Sequence, residues 1–189
     1  MWPWESSLLA KNTNIQDATG HTKHNDSGFC IFGVKESSMR AIVQRTAGAR
    51  VEVGGTICGS IEQGLMVLVG FCAEDTEKEL EWMVKKLVQL RIFRDAEDKM
   101  NLSVQDVGGE ILVVSQFTLY AQSKKGNRPS YTRSAPPPVS IPLYERFLEL
   151  LRLSFSGNVA TGEFGADMKV HLVNDGPVTI FIDTKDPDF

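Results

Sequence analysis

Ser115, Gln116 and Thr118 close an apolar run, Ile111-Leu112-Val113-Val114, within the segment Val114-Ser115-Gln116-Phe117-Thr118-Leu119. Two hydroxyls and a carboxamide that both donates and accepts are groups with which a hydrolytic site can hold a substrate. A hydroxyl nucleophile needs a base, yet residues 111–130 contain no His, Asp or Glu. Two readings stay open: polar residues satisfying local backbone groups, or a site whose reaction asks little of side chains. An activated ester fits the second, because positioning and hydrogen-bond donors for the developing oxyanion carry much of its hydrolysis. A second segment, Val173-Asn174-Asp175-Gly176-Pro177-Val178-Thr179, breaks another apolar stretch. Proline cannot donate to a sheet ladder, so main-chain groups near Gly176-Pro177 point away from a neighbouring strand. An isolated Gly-Pro is an ordinary turn; two such breaks in one small domain could build a site from backbone atoms.

Short β-branched runs precede the first segment. Ala41 to Arg45, Arg50 to Val53, Thr56 to Ile61 and Leu65 to Phe71 are parted by Gly48, Gly54-Gly55 and Gly64, the pattern of a meander of hairpins. Thr76 to Leu90 reads as a helix, with Thr76 and Glu79 as a capping box and Leu80, Met83, Val84, Leu87 and Leu90 as its apolar stripe. After a loop at Asp95 to Lys99, Glu110 to Ser115 is a strand. Gln122 to Arg133 is a polar loop, and Pro136-Pro137-Pro138 stiffens its exit. A second helix spans about Pro142 to Phe155, with Leu143, Phe147, Leu150 and Leu151 inward. Strands at Lys169 to Val173 and Val178 to Asp183 complete a layered α/β domain.

Composition narrows the function. A net charge of −4 argues against a protein that coats nucleic acid non-specifically, which needs many phosphate-neutralising cations. Lys124, Lys125, Arg128 and Arg133 nevertheless gather in one loop with no acid, the pattern of a solvated loop or of a tRNA-backbone contact. Cys30, Cys58 and Cys72 form no CxxC pair and no disulfide framework. His171 is the one histidine outside the N-terminal segment, so a His-rich metal site is excluded and a Ser-His-Asp triad could use only that residue. His171 alternates with Lys169, against Val170 and Leu172, as an exposed sheet position does. No apolar stretch is long enough to cross a bilayer. Residues 1–38 lack helical or strand periodicity and a secretory pattern; they read as a disordered extension or upstream-start artefact, with organelle targeting the weaker alternative.

SQFTL followed by NDGPVT resembles the paired motifs of the D-aminoacyl-tRNA (D-tyrosyl-tRNA) deacylase family. Met39 to Arg45, Gly64 to Gly70, Gly126 to Ser130 and Phe164 to Met168 resemble it too, in the family's order over residues 39–184. The resemblance implies a three-layer α/β/β fold, with mixed, mainly antiparallel sheets and two to three helices, for a domain over residues 39–189. It implies a cytoplasmic homodimer with active sites at its interface and no cofactor or metal. Its substrates would be D-aminoacyl-tRNA and glycyl-tRNA, with L-aminoacyl-tRNA rejected. Ser115, Gln116, Phe117 and Thr118 would form the catalytic strand end, with Thr118 positioning or, in an older view, nucleophilic. Gly176 and Pro177, joined by a cis peptide, would enter the partner's site and set chirality, held by Arg45 and Met168. The alternative is a non-enzymatic nucleic-acid-binding protein of the same fold.

Overall fold

The computed structural model describes residues 38–124 and 126–186. The N-terminal segment thus lies outside the described residues, except Ser38. That serine is buried, and its amide and hydroxyl bond the carboxylates of Asp75 and Asp183 at 2.8 Å each. It belongs to the body rather than to an extension.

The strands are β1 (Arg40–Val53), β2 (Thr56–Ile61), β3 (Gly64–Gly70), β4 (Phe93–Arg94), β5 (Met100–Leu102), β6 (Glu110–Ser115), β7 (Val159–Thr161) and β8 (Met168–Asp183). The helices are α1 (Glu77–Gln89) and α2 (Pro137–Ser154), and a 3-10 turn spans Phe117–Tyr120. β1 is the spine. Its first half pairs with β3, its second half with β2, and β8 runs antiparallel along its other edge. β6 and β7 extend the sheet in parallel beyond β3.

The sequence pattern splits β1 at Gly48, but the strand continues through a bulge there. The ladder to β8 slips between Thr46 and Gly48. The Thr46 hydroxyl bridges the slip by donating to the Val173 carbonyl at 2.9 Å and accepting the Gly48 amide at 3.0 Å. The bulge bends the strand, so its halves serve different layers. On the helix side, Ala41, Val43, Leu65, Val67, Ile111 and Val113 pack with Leu80, Met83, Leu87, Phe147 and Leu151. On the other side, Ala49, Val51, Ile61, Met66, Leu112 and Val114 form a second core. Strand β6 feeds both cores by alternation, which is why Ile111 to Val114 is apolar throughout. The far edges almost meet: a Cβ on Gly59 would lie 2.3 Å from the Thr161 carbonyl oxygen. The result is helices packed on one side of a bent six-stranded sheet that nearly closes into a barrel around a second core.

Helix α1 begins with the expected capping box, the Thr76 amide donating to the Glu79 carboxylate at 2.9 Å. Helix α2 starts five residues before the expected Pro142. Pro137 and Pro138 open it instead of stiffening a loop, because the missing amide and fixed φ of proline suit the first helical turn. Ser140, Tyr144, Phe147, Leu148 and Leu151 are its buried residues, while Leu143 and Leu150 are half-buried. The two expected C-terminal strands are one, β8, carrying an extruded turn. Among the described residues no helix is long and apolar enough to cross a membrane.

Candidate active site

The apolar alternation of β6 ends at half-buried Ser115, in register with Val69 of β3. The chain then leaves the sheet, because the Gln116 amide takes the Val69 carbonyl at 2.6 Å and Leu119 and Ala121 bond back to Gln116 and Thr118. The 3-10 turn thereby sets Phe117 and Thr118 at its N-terminal end. The side-chain amide of Gln116 donates to the Thr118 hydroxyl oxygen at 2.5 Å. Thr118 is held as an acceptor of an amide and is not set against a base.

Other titratable candidates are also accounted for. Among the described residues the only histidine, His171, lies 3.5 Å from Glu52 on an exposed position of β8, as its alternation implies. The Cys72 thiol donates to Asp75 at 3.1 Å and is pushed up to about 12, by burial first and then by that carboxylate. Burial likewise raises the Tyr120 phenol, whose hydroxyl donates to the Ser38 carbonyl. Both remain protonated at neutral pH, so neither supplies a thiolate or phenolate. The strand end is left with hydrogen bonds and backbone.

Arg40, absent from the sequence expectation, ties the turn to the sheet. Its Nη1 donates to the Leu119 carbonyl at 3.0 Å, its Nε pairs with Asp183 at 2.9 Å, and its guanidinium lies 4.8 Å from the Tyr120 ring centroid. Nothing local in the sequence signals this role, since Leu119 is 79 positions away.

The second motif is an extrusion. Gln44 pairs with Thr179 and Thr46 with Asn174, so Asp175, Gly176, Pro177 and Val178 all face the single residue Arg45. Asn174 staples the base of this turn: its Oδ1 accepts the Val178 amide at 3.0 Å and its Nδ2 donates to the Thr179 hydroxyl at 2.9 Å. An Asn bonding backbone a few residues on is a recognisable turn signal, and it explains the Asn and Thr that bracket Gly-Pro. The Gly176–Pro177 peptide is cis and Gly176 has φ +124°. Behind the turn, the buried Arg45 guanidinium donates to the Ile92 carbonyl at 2.6 Å and holds Asp175 through both its carboxylate (2.9 Å) and its carbonyl (3.3 Å). Asp175, Gly176 and Pro177 themselves are exposed.

Arg45 is therefore beside Gly176–Pro177. Met168 is not: it pairs with Val53 and packs into the second core, roughly 25 Å along β8 at about 3.3 Å per residue. Nor are the two motifs adjacent. The turn is level with Arg45, and the 3-10 turn is tied to Arg40, five residues and so about 17 Å away along β1 before any lateral offset.

Lys124, Arg128 and Arg133 are exposed on the loop after the 3-10 turn, and Lys125 lies outside the described residues. The loop is closed, not trailing: Gln122 and Ser130 exchange backbone hydrogen bonds at 2.8 and 3.0 Å. Its exit residue, Tyr131, meets Phe117 edge-to-face with ring centroids 5.2 Å apart.

Known proteins share this chain's sequence and fold. A family model described as D-Tyr-tRNA(Tyr) deacylase matches residues 42–183. The chain is 56% identical over 146 residues to the D-aminoacyl-tRNA deacylase of Chlorobaculum parvum, covering 77% of this chain and 98% of that one. It is 55% identical over 150 residues to the D-aminoacyl-tRNA deacylase of Dechloromonas aromatica, covering 79% and 100%. A solved structure described as c-Myc DNA Unwinding Element Binding Protein superposes with a TM-score of 0.72 at 46% identity, over 76% of this chain and 97% of that one. Another, described as a probable eukaryotic D-amino acid tRNA deacylase, shares the fold with a TM-score of 0.67 at 20% identity, over 77% and 99%.

Proposed function

The chain belongs to the D-Tyr-tRNA(Tyr) deacylase family, whose members are hydrolases, and from that premise we propose that it cleaves the ester of D-aminoacyl-tRNA at its strand end, Ser115 to Leu119. The terminal adenosine lies along this segment, with amides near Phe117 and Thr118 donating to the scissile carbonyl as it becomes an oxyanion. Water adds to the carbonyl carbon, the ribose 2′-hydroxyl assists the proton transfer, and the 3′-oxygen leaves with the proton. RNA is required because DNA lacks that hydroxyl. One observation carries this reading: the Thr118 oxygen accepts a hydrogen bond from Gln116 and faces no base, which favours positioning over attack.

Gly176 and Pro177 of one subunit complete the site of the other in a homodimer. Their separation from the strand end within a protomer, the exposure of the turn and the outer edge of β8 support that arrangement. Carbonyl oxygens of the turn hold the substrate ammonium, and an L side chain collides where a D-residue presents hydrogen. Glycine has no side chain to exclude, so glycyl-tRNA is cleaved as well. Arg45 holds the turn from behind; Met168, distant from the turn of its own chain, acts only across subunits.

The test is hydrolysis of matched D- and L-aminoacyl-tRNAs and glycyl-tRNA. The D-ester and glycyl-tRNA are cleaved and the L-ester is not; cleavage of all three would remove the chirality filter. Thr118→Ala keeps kcat/KM within about tenfold of the parent, as loss of one positioning contact worth about 1.4 kcal/mol requires. A loss beyond about a thousandfold would make Thr118 the nucleophile.

The cationic loop touches the tRNA backbone. Each phosphate contact contributes about 0.7–0.9 to the slope of log K against log salt, so replacing Arg128 and Arg133 by Gln flattens that slope by about 1.5 and weakens binding. An unchanged slope would leave the loop merely solvated. The description of one solved relative as DNA-binding favours a second reading, a nucleic-acid binder without catalysis. Failure of a folded dimer to cleave any of the three esters would favour it.

A further inference from the structure

We propose that Tyr131, braced by Phe117, is a stacking platform for the nucleobase next to the terminal adenosine in the unpaired 3′ end of tRNA. The inference rests on the reading of Ser115 to Leu119 as the ester site. Phe117 and Tyr131 are 39% and 38% exposed, large aromatic rings partly open to solvent. They meet edge-to-face at 5.2 Å and 76°, an arrangement that braces one ring with the other while leaving ring surface for a third group. Tyr131 is fixed in place. The Gln122–Ser130 bridge closes the loop just before it, the Ser134 amide bonds its carbonyl at 3.0 Å, and the Ala135 amide anchors the exit to Phe71 at 2.8 Å.

The surroundings identify the occupant. One ring belongs to the turn that carries Thr118, so the platform adjoins the ester site. The other leaves a loop bearing Lys124, Arg128 and Arg133, exposed cations that match a phosphate chain. An aromatic platform beside a cationic track is how single-stranded nucleic acid is held without sequence readout, each base stacking on a ring while cations track the backbone. Unpaired RNA ends are recognised by such stacking. With the terminal ribose at Ser115 to Thr118, the next base toward the cations is the penultimate one.

The experiment uses short acceptor-stem RNA hairpins with the D-amino acid joined to the terminal ribose by an amide, so that they bind without being cleaved. 2-Aminopurine, whose fluorescence is quenched by stacking, replaces the penultimate base in one and the terminal adenine in the other. The full-length protein is expected to quench the penultimate probe; Tyr131→Ala abolishes that quenching and raises Kd about tenfold, whereas Tyr131→Phe, which keeps the ring, behaves as the parent. Penultimate quenching unaffected by Tyr131→Ala, or quenching of the terminal probe alone responding to it, would overturn the assignment while leaving the deacylase reading intact. If the parent protein binds neither hairpin, the ester-site reading fails first, and this one with it. Tyr131 is on an exposed loop, and thermal melts of the variants report any loss of fold separately.

Discussion

Gly176→Ala lowers kcat/KM for D-aminoacyl-tRNA by about a hundredfold or more, while the melting temperature moves by only a few degrees. The reason is local. At φ +124° an L-residue is strained, by roughly 1–3 kcal/mol for such conformations. Its Cβ would also lie 2.8 Å from Val178 Cγ2, 3.0 Å from Arg45 Nη2 and 3.1 Å from the Val178 amide nitrogen. The two side-chain contacts can yield, but the backbone nitrogen yields only if the turn itself shifts. Because Asp175, Gly176 and Pro177 are exposed, the turn shifts at small cost to the core. The damage therefore appears in the geometry presented to a substrate, where about 1.4 kcal/mol of lost transition-state contact is tenfold in rate. Assays of D- and L-esters beside thermal melts check the split. Full activity in the variant would show that the turn takes no part in the site.

A feature was legible in the sequence to the extent that its signal is local. The capping box of α1 and the apolar stripe behind it are such local signals: the box forms, and Leu80, Met83, Val84 and Leu87 are buried as read, while Leu90 is the C-cap beyond the helix. The long β1 did not, because Gly48 looks like a strand end when the hydroxyl of Thr46, which carries the chain across the bulge, bonds Val173 from a strand 127 positions away. The triple proline misled for the opposite reason: the same residues can end one element or begin another, and here Val139 to Ser154 continue as helix and so make them a beginning. Gly176–Pro177 was visible as a break in a β run, but its form, four residues facing one arginine, is a property of pairing register. Arg45 lies beside the turn of its own chain, whereas Met168 stands opposite Val53, in the register that separates it from Gly176. Arg40 falls in the family-like segment Met39 to Arg45, but nothing local signals its bond to Leu119.

Arg45 supplies the sharper test, because its two neighbours respond differently to its loss. Its side chain is 4% exposed, whereas the Asp175 side chain is 52% exposed and can return to water. The Ile92 carbonyl cannot so readily, and a buried acceptor left unsatisfied costs about 1–3 kcal/mol. Truncation also leaves a void where the guanidinium passed. Arg45→Ala is thus expected to lower Tm by about 5–10 °C, at roughly 2–4 °C per kcal/mol for a chain of this size, and to reduce deacylation by about a thousandfold as the turn loses its anchor. Arg45→Lys separates the two effects. An ammonium is a point donor without the planar fork of guanidinium, so it satisfies Ile92 or Asp175 but not both in the same geometry. When it caps Ile92, stability returns to within about 4 °C of the parent while activity stays low, because the Asp175 carboxylate and carbonyl are released together. Recovery of both in Arg45→Lys would mean that charge at this position suffices and that the fork across Ile92 and Asp175 is incidental. Loss of stability without loss of activity in Arg45→Ala would detach the arginine from the turn altogether, leaving Asn174 and Thr179 as the groups that fix its shape.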